Sequence, residues 1–197
     1  MSGYNLIASL FNLNLDMLRT FFVPFALVIC FFYTSCASPG GLFKSYIHTK
    51  GSLNSMELDL LKEYLSRTDA SPKDTIFIKY DFNGETCWDH LDLQSDEYID
   101  RVVLSAQMRT TATLKARPGI SIHKFRENGN AFNKLKLRDS DIKIDSSGLI
   151  RQLLFKEKQT CGTSGIILPS GEFILVKYDS HFDALSLSGK KMGEVLR

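Results

Sequence analysis

Between Asn54 and Tyr178 the apolar residues switch repeatedly between helical and extended spacing. Leu58, Leu61 and Leu65 fall on one helical face and predict a helix from Asn54 through about Arg67. Asn54 supplies an N-cap oxygen and Glu57 stands three residues on, as in a capping box. Asp69 to Pro72 break the helix. Thr75 to Phe82 (TIFIKYDF) is β-branched and aromatic, with Ile76, Ile78 and Tyr80 alternating, and predicts a strand ended by Asn83-Gly84. Residues 95–110 return to helical spacing through Tyr98, Val102 or Val103, and Ala106. Ser95, Asp96 and Glu97 provide an acidic N-terminus that suits the helix dipole. Ile120 to Phe125 alternates as a strand and Glu127 to Asn130 is a turn. Residues 131–141 follow no clear period, and Asp141 to Asp145 is extended. Ser146 or Ser147 caps a helix through about Lys156, with Leu149, Leu153 and Leu154 inward. Gly165–Leu168 and Glu172–Tyr178, joined by Pro169-Ser170-Gly171, form a hairpin. Residues 183–197 read as a weak helix or a disordered tail. Alternating strands and helices closed by a hairpin predict an α/β sandwich with a mixed sheet, over residues 54–182.

The N-terminus follows a different pattern. Phe21 to Tyr33 is an uncharged run of thirteen residues preceded by Arg19. That length suits the apolar region of a signal peptide, whereas a membrane-spanning helix needs about 20 residues. Thr34-Ser35 then place small residues before Cys36, and Ala37 to Gly41 begin a Gly/Ser-bearing tether over residues 36–53 that carries a solvated His48. Residues 17–36 resemble the lipobox of bacterial lipoproteins, with Tyr33 in place of the usual Leu. The resemblance implies a signal peptide over residues 1–35, cleavage before Cys36 and a diacylglyceryl group on its sulfur. Met17-Leu18-Arg19 has the form of a signal-peptide start, so translation beginning at Met17 is part of this reading. An uncleaved signal anchor and a simple secreted protein are the alternatives. Each buried acyl methylene contributes about 0.8 kcal/mol to membrane attachment. Ala37 in place of the Asp that retains lipoproteins at the inner membrane points to the outer membrane of a bacterial cell envelope, facing the periplasm.

Composition narrows the remainder. Removal of residues 1–35 takes away one Arg and one Asp, so the net charge stays at +2. No basic stripe argues for a nucleic-acid partner and no acidic run for disorder. About 160 residues suffice for one domain with a real core. Of four cysteines, Cys30 lies in the apolar run and Cys36 at the lipid site. Cys87 and Cys161 are left in an oxidising compartment, where thiols tend to pair.

The order strand, cysteine loop, helix, strand, helix, hairpin resembles the thioredoxin fold over roughly residues 73–180. The resemblance rests on Thr75–Phe82 running into Cys87, and on Ser147–Lys156 leading to Ile166-Ile167-Leu168-Pro169-Ser170-Gly171-Glu172-Phe173. It implies a three-layer sandwich in which Cys87 opens a helix and Cys161 precedes the segment facing it. The family's Cys-x-x-Cys is here Cys87-Trp88-Asp89-His90. Its cis-proline falls near Thr163, where there is none, and the Trp that precedes the first cysteine is absent. Two readings of the pair follow: a redox couple with Cys87 as nucleophile, Cys161 as partner, His90 as a supporting cation and a protein thiol as substrate; or a non-catalytic scaffold stapled by a structural disulfide.

Other chemistry is written more faintly. Cys87, His90, Cys161 and His181 contain the donor atoms for zinc, although neither a metal nor an organic cofactor is expected. A Cys–His hydrolase would need His90, His123 or His181 as base. Asp81, Asp89 and Asp92 flank Cys87 and read as solvated or capping acids. Gly162 to Gly165 precedes a strand, so it reads as a tight entry into the hairpin rather than a phosphate loop. Trp88 is read as packing in the core or at the rim.

Overall fold

The computed structural model describes residues 48–196 except Trp88. Cys36, the run before it and most of the tether therefore lie outside the described residues. The fold is mixed α/β. One sheet of six strands has the order β1-β6-β5-β2-β3-β4, formed by β1 (His48–Ser52), β2 (Thr75–Asp81), β3 (Ile120–Glu127), β4 (Ile142–Asp145), β5 (Thr163–Ile167) and β6 (Glu172–Lys177). β2, β3 and β4 run parallel, and β5, β6 and β1 follow antiparallel to their neighbours.

Five α-helices serve this sheet: α1 (Ser55–Thr68), α2 (Asp96–Ala116), α3 (Lys134–Arg138), α4 (Leu149–Leu153) and α5 (Gly189–Leu196). α1 has the full capping box: Glu57 N donates to Asn54 Oδ1 at 3.0 Å, and Asn54 N donates to Glu57 Oε2 at 2.9 Å. α2 continues six residues beyond its predicted end, to Ala116. Its threonines fold back on the helix, Thr110 onto Ala106 O and Thr113 onto Arg109 O, and the helix stops only where Arg117 precedes Pro118. α4 is shorter than the predicted 147–156: it starts behind the N-cap Gly148, in the left-handed region at φ 69°, and ends at Leu153 with Leu154 as C-cap.

Both faces of the sheet are covered. On one side Leu58, Leu61 and Leu65 of α1 and Ile150 of α4 pack with Ile76, Ile78, Tyr80 and Phe125, completed by Phe155. On the other, Phe77, Ile120, Ile166, Ile174 and Val176 pack with Phe182, Leu185, Leu187 and Met192. Of the two readings of the C-terminal stretch, a weak helix or a disordered tail, the described residues carry the helix: Asp183–Ser186 is a 3-10 turn, α5 follows, and both contribute to the core. The reading of the tether is corrected. His48–Ser52 is an edge strand paired with Val176–Glu172, which makes His48 half-buried rather than solvated. The stretch without a clear period contains α3, whose N-cap Asn133 accepts from Lys136 N at 3.2 Å.

Candidate functional site

β2 carries the site. Its register places Lys79 beside Lys124 of β3 and Ser164 of β5. Directly paired residues share a face, so two lysines and a serine form a row across the sheet. That face is the one covered by α2, which turns the row inward: Lys79 is 6% exposed and Lys124 7%, while Ser164 is fully buried. Ser164 Oγ has no hydrogen-bond partner among the described residues. Asp81, two residues along the same strand, is 2% exposed.

Buried charge requires compensation. Lys124 Nζ lies 3.1 Å from Asp139 Oδ2 and 3.5 Å from Asp141 Oδ2. Lys136 of α3 pairs with Asp81, and its Nζ is 3.7 Å from Glu85 Oε2. Lys79 Nζ is 3.9 Å from Asp81 Oδ1 and donates to the carbonyl of Asp179. Burial drives the Lys79 amine below the usual lysine range, Lys136 adds to this, and Asp81, Asp179 and Glu85 oppose it. Burial likewise raises the Glu85 carboxyl, together with Asp81. The charges of Lys136 and Lys79 and the hydrogen bond from Phe82 N work against it.

Beside this cluster Cys87 and Cys161 stand at disulfide distance, with Cα atoms 4.8 Å apart, inside the range of disulfide-bonded pairs. Cys87 N also donates to Thr160 O at 3.1 Å, and Asn133 Nδ2 donates to Cys87 O at 3.4 Å. Both cysteines are half-buried. They form part of the wall of a cavity of about 310 Å³. Lys79, Asp81, Glu85, Lys124 and Lys136 contribute polar lining, and Leu91, Tyr98, Val102, Leu135, Ile142 and Phe182 contribute apolar lining. The residues that predicted the inward stripe of α2 are thus divided. Val103 is buried, together with Ile99, which the stripe did not include, while Tyr98, Val102 and Ala106 line the cavity.

The placement of Cys87 differs from the one the resemblance implied. It sits in a turn before the five-residue 3-10 helix Asp89–Leu93, and α2 begins only at Asp96 behind its N-cap Ser95. The thiol therefore does not open a long helix. Positive charge near the pair comes from lysine side chains instead. His90 is exposed on the 3-10 helix and does not line the cavity, whereas His181 does. His123 is fully buried on the opposite face, its Nδ1 3.0 Å from Asp69 Oδ2 at the end of α1, out of reach as a base for Cys87. Asp81 proves to be a buried ion-pair partner rather than a solvated acid. Asp92 accepts from Lys134 N at 2.7 Å, a capping role at the start of α3. Trp88 lies outside the described residues. Among the described residues no group of three or more His, Cys, Asp or Glu could hold a metal ion. Gly162, at φ 55°, is the tight entry into β5; a Cβ there would overlap Lys79 Nζ.

The residues that reading the chain missed are Lys79, Lys124 and Lys136. Of these only Lys79 lies in β2, where Phe77, Lys79 and Asp81 alternate with the apolar set, a pattern that does not by itself separate a solvent face from a buried one. In a sheet covered on both sides that face is interior. No family profile matches the chain, and no curated protein or solved structure matches it significantly.

Proposed function

We propose that this protein is a thioredoxin-like thiol–disulfide redox protein, lipid-anchored through Cys36 in a bacterial cell envelope, on the outer membrane facing the periplasm. The observation that carries the redox reading is the environment of the cysteine pair. Disulfides reachable from solvent are the more labile ones, whereas structural bonds resist reduction. Here the pair lines an open cavity whose floor holds buried amines and carboxylates. A thiolate leaving a disulfide needs a nearby cation, and the thiol it later becomes needs a proton source. Lys79, Lys136, Asp81 and Glu85 are groups of those two kinds.

The thioredoxin-like reading is supported by strand order. β2 and β3 are parallel and joined through α2, and β5 and β6 follow antiparallel on the other side of β2. Cys87 follows the central strand and Cys161 precedes β5, as the resemblance requires. β1, β4 and α3 are additions to that pattern. The anchor rests on the Phe21–Tyr33 run and Thr34-Ser35-Cys36-Ala37. Among the described residues no helix is long and apolar enough to cross a membrane.

The second reading, a non-catalytic scaffold with a structural bond, is favoured by the additional ties between the two loops, Cys87 N to Thr160 O and Asn133 Nδ2 to Cys87 O. Catalysis separates the two. The redox protein accelerates reduction of a disulfide-bonded test protein by dithiothreitol, and Cys87→Ser abolishes the acceleration. Native protein without any acceleration refutes the redox reading and leaves the scaffold. Incorporation of labelled palmitate, lost in Cys36→Ala, tests the anchor separately.

A further inference from the structure

Lys79 occupies the middle of the sheet, between β3 and β5, where an apolar residue would pack without the cost of burying a charge. The charges of Asp81, Asp179 and Glu85 offset part of that cost. Asp81 is engaged more closely by Lys136, and Lys79 Nζ stays 3.9 Å away. The hydrogen bond of its ammonium goes to a neutral group, the Asp179 carbonyl. The amine is held against Gly162, the residue that follows Cys161, at a point where only the missing side chain of glycine leaves room. Gly162 O in turn accepts from Asp179 N at 3.3 Å. The turn carrying Cys161 and the segment carrying Asp179 thus close around one buried cation. Breaking the bond between the two sulfurs adds an anion to the carboxylates already around Lys79.

We propose that Lys79 stabilises the thiolate of Cys161, making Cys161 the leaving sulfur and Cys87 the sulfur that enters the mixed disulfide with a partner dithiol. This inference deepens the redox reading and rests on it for the identity of the reaction. A partner thiolate attacks Cys87 Sγ. The Cys87–Cys161 bond breaks and its electron pair stays on Cys161 Sγ, in the cavity that Lys79 lines and one residue from the Gly162 it is held against. The partner's second thiol then attacks its own sulfur in the mixed disulfide, and its proton passes to the departing Cys87. The partner leaves oxidised to a disulfide, and two electrons have moved to the protein, which holds the Cys161 thiolate and the Cys87 thiol.

Other charges face the same point. Asp81 and Glu85 approach from β2 and the loop after it, Lys136 from α3, and the buried Asp179 carboxylate from the segment after β6. Lys124 with Asp139 lies beyond them, Arg109 faces inward from α2, and His181 from the loop after β6. Both cysteines share this field, so a comparison of the two thiols within one molecule isolates Lys79, which contacts the turn of Cys161.

The test uses the full chain, reduced, with the rate of alkylation by iodoacetamide followed from pH 5 to 9.5 and each cysteine mapped separately by mass spectrometry. The expected result is a midpoint for Cys161 at least one unit below that of Cys87. In Lys79→Met the Cys161 midpoint rises by about one to three units, the range for removal of an adjacent opposite charge. In Lys79→Arg it remains near the native value, and the Cys87 midpoint moves less in both variants. A Cys161 midpoint at or above that of Cys87 in the native protein overturns the proposal, and this comparison stands even if Lys79→Met does not fold. Equal movement of both thiols in a folded Lys79→Met overturns it as well, since that is the signature of a general structural role. Failure of the redox reading is recognised independently: a protein that does not accelerate disulfide reduction can still show a depressed Cys161 midpoint.

Discussion

Replacing both Cys87 and Cys161 by serine removes the covalent link between the loop after β2 and the entry to β5 while leaving two small polar side chains in place. The sequence separation of 74 defines the loop the bond closes. In the chain-entropy model a loop of that size restricts the unfolded ensemble by about 15 cal/mol/K, so its loss destabilises the fold by roughly 4.5 kcal/mol at 25 °C. Single domains have stabilities of about 5–15 kcal/mol, so the double variant is expected to be marginal. With a urea dependence of about 1–3 kcal/mol per molar, the midpoint falls by roughly 1.5–4.5 M. The assay is urea unfolding followed by far-ultraviolet circular dichroism on native, reduced native and Cys87→Ser/Cys161→Ser protein at equal concentration. Reduction and double substitution should give the same midpoint. A shift below about 0.5 M in both would refute the reasoning, because it would mean that the pair is not bonded in the folded protein. A large shift on substitution with none on reduction would refute it differently, by assigning the loss to packing at the two side chains.

Two further outcomes follow from the site. Gly162→Ala places a Cβ at φ 55° where it overlaps Lys79 Nζ and approaches Asp81 Oδ1 at 3.1 Å. The strained backbone alone costs about 1–3 kcal/mol, so a urea midpoint equal to native would show that this turn does not require the left-handed backbone of glycine. The Glu85 carboxyl is raised, chiefly by burial, so above its unfolded value the folded state binds more protons than the unfolded state and stability falls as pH rises toward the folded pKa. Glu85→Gln removes that fall: relative to native it gains stability between pH 4 and pH 8, and a difference independent of pH over that range would contradict the assignment.

Parts of this fold are legible because their causes are local. Asn54 and Glu57 announce α1 through a capping box that needs no tertiary partner. Thr75–Asp81 identifies a strand through its β-branched and aromatic side chains. β1 is hidden for the opposite reason. His-Thr-Lys-Gly-Ser has no apolar alternation and becomes a strand only because β6 offers a free edge. α3 is five residues long, too short for a period to emerge. The site was half legible. Cys87 and Cys161 could be paired by elimination, since Cys36 and Cys30 belong to the N-terminal segment. The lysine row could not be inferred in the same way. Whether Lys79 faces water or the interior depends on α2 covering that side of the sheet, a fact of packing among distant segments that alternation along β2 does not encode. Cys87 was expected at a helix N-terminus because the resemblance implies it. The strand and the helix were both recognisable, but the 3-10 helix Asp89–Leu93 between them was not.

The central claim is that Cys87 and Cys161 form a working redox couple rather than a permanent staple. Its most direct test is the reduction potential of that one bond, measured by equilibrating the full-length protein with glutathione and, for lower potentials, dithiothreitol buffers, and quantifying the oxidised fraction of the two cysteines by mass mapping. A working couple has a value in the range of catalytic disulfides, about −120 to −270 mV, and a value below about −300 mV would mark the bond as a permanent staple.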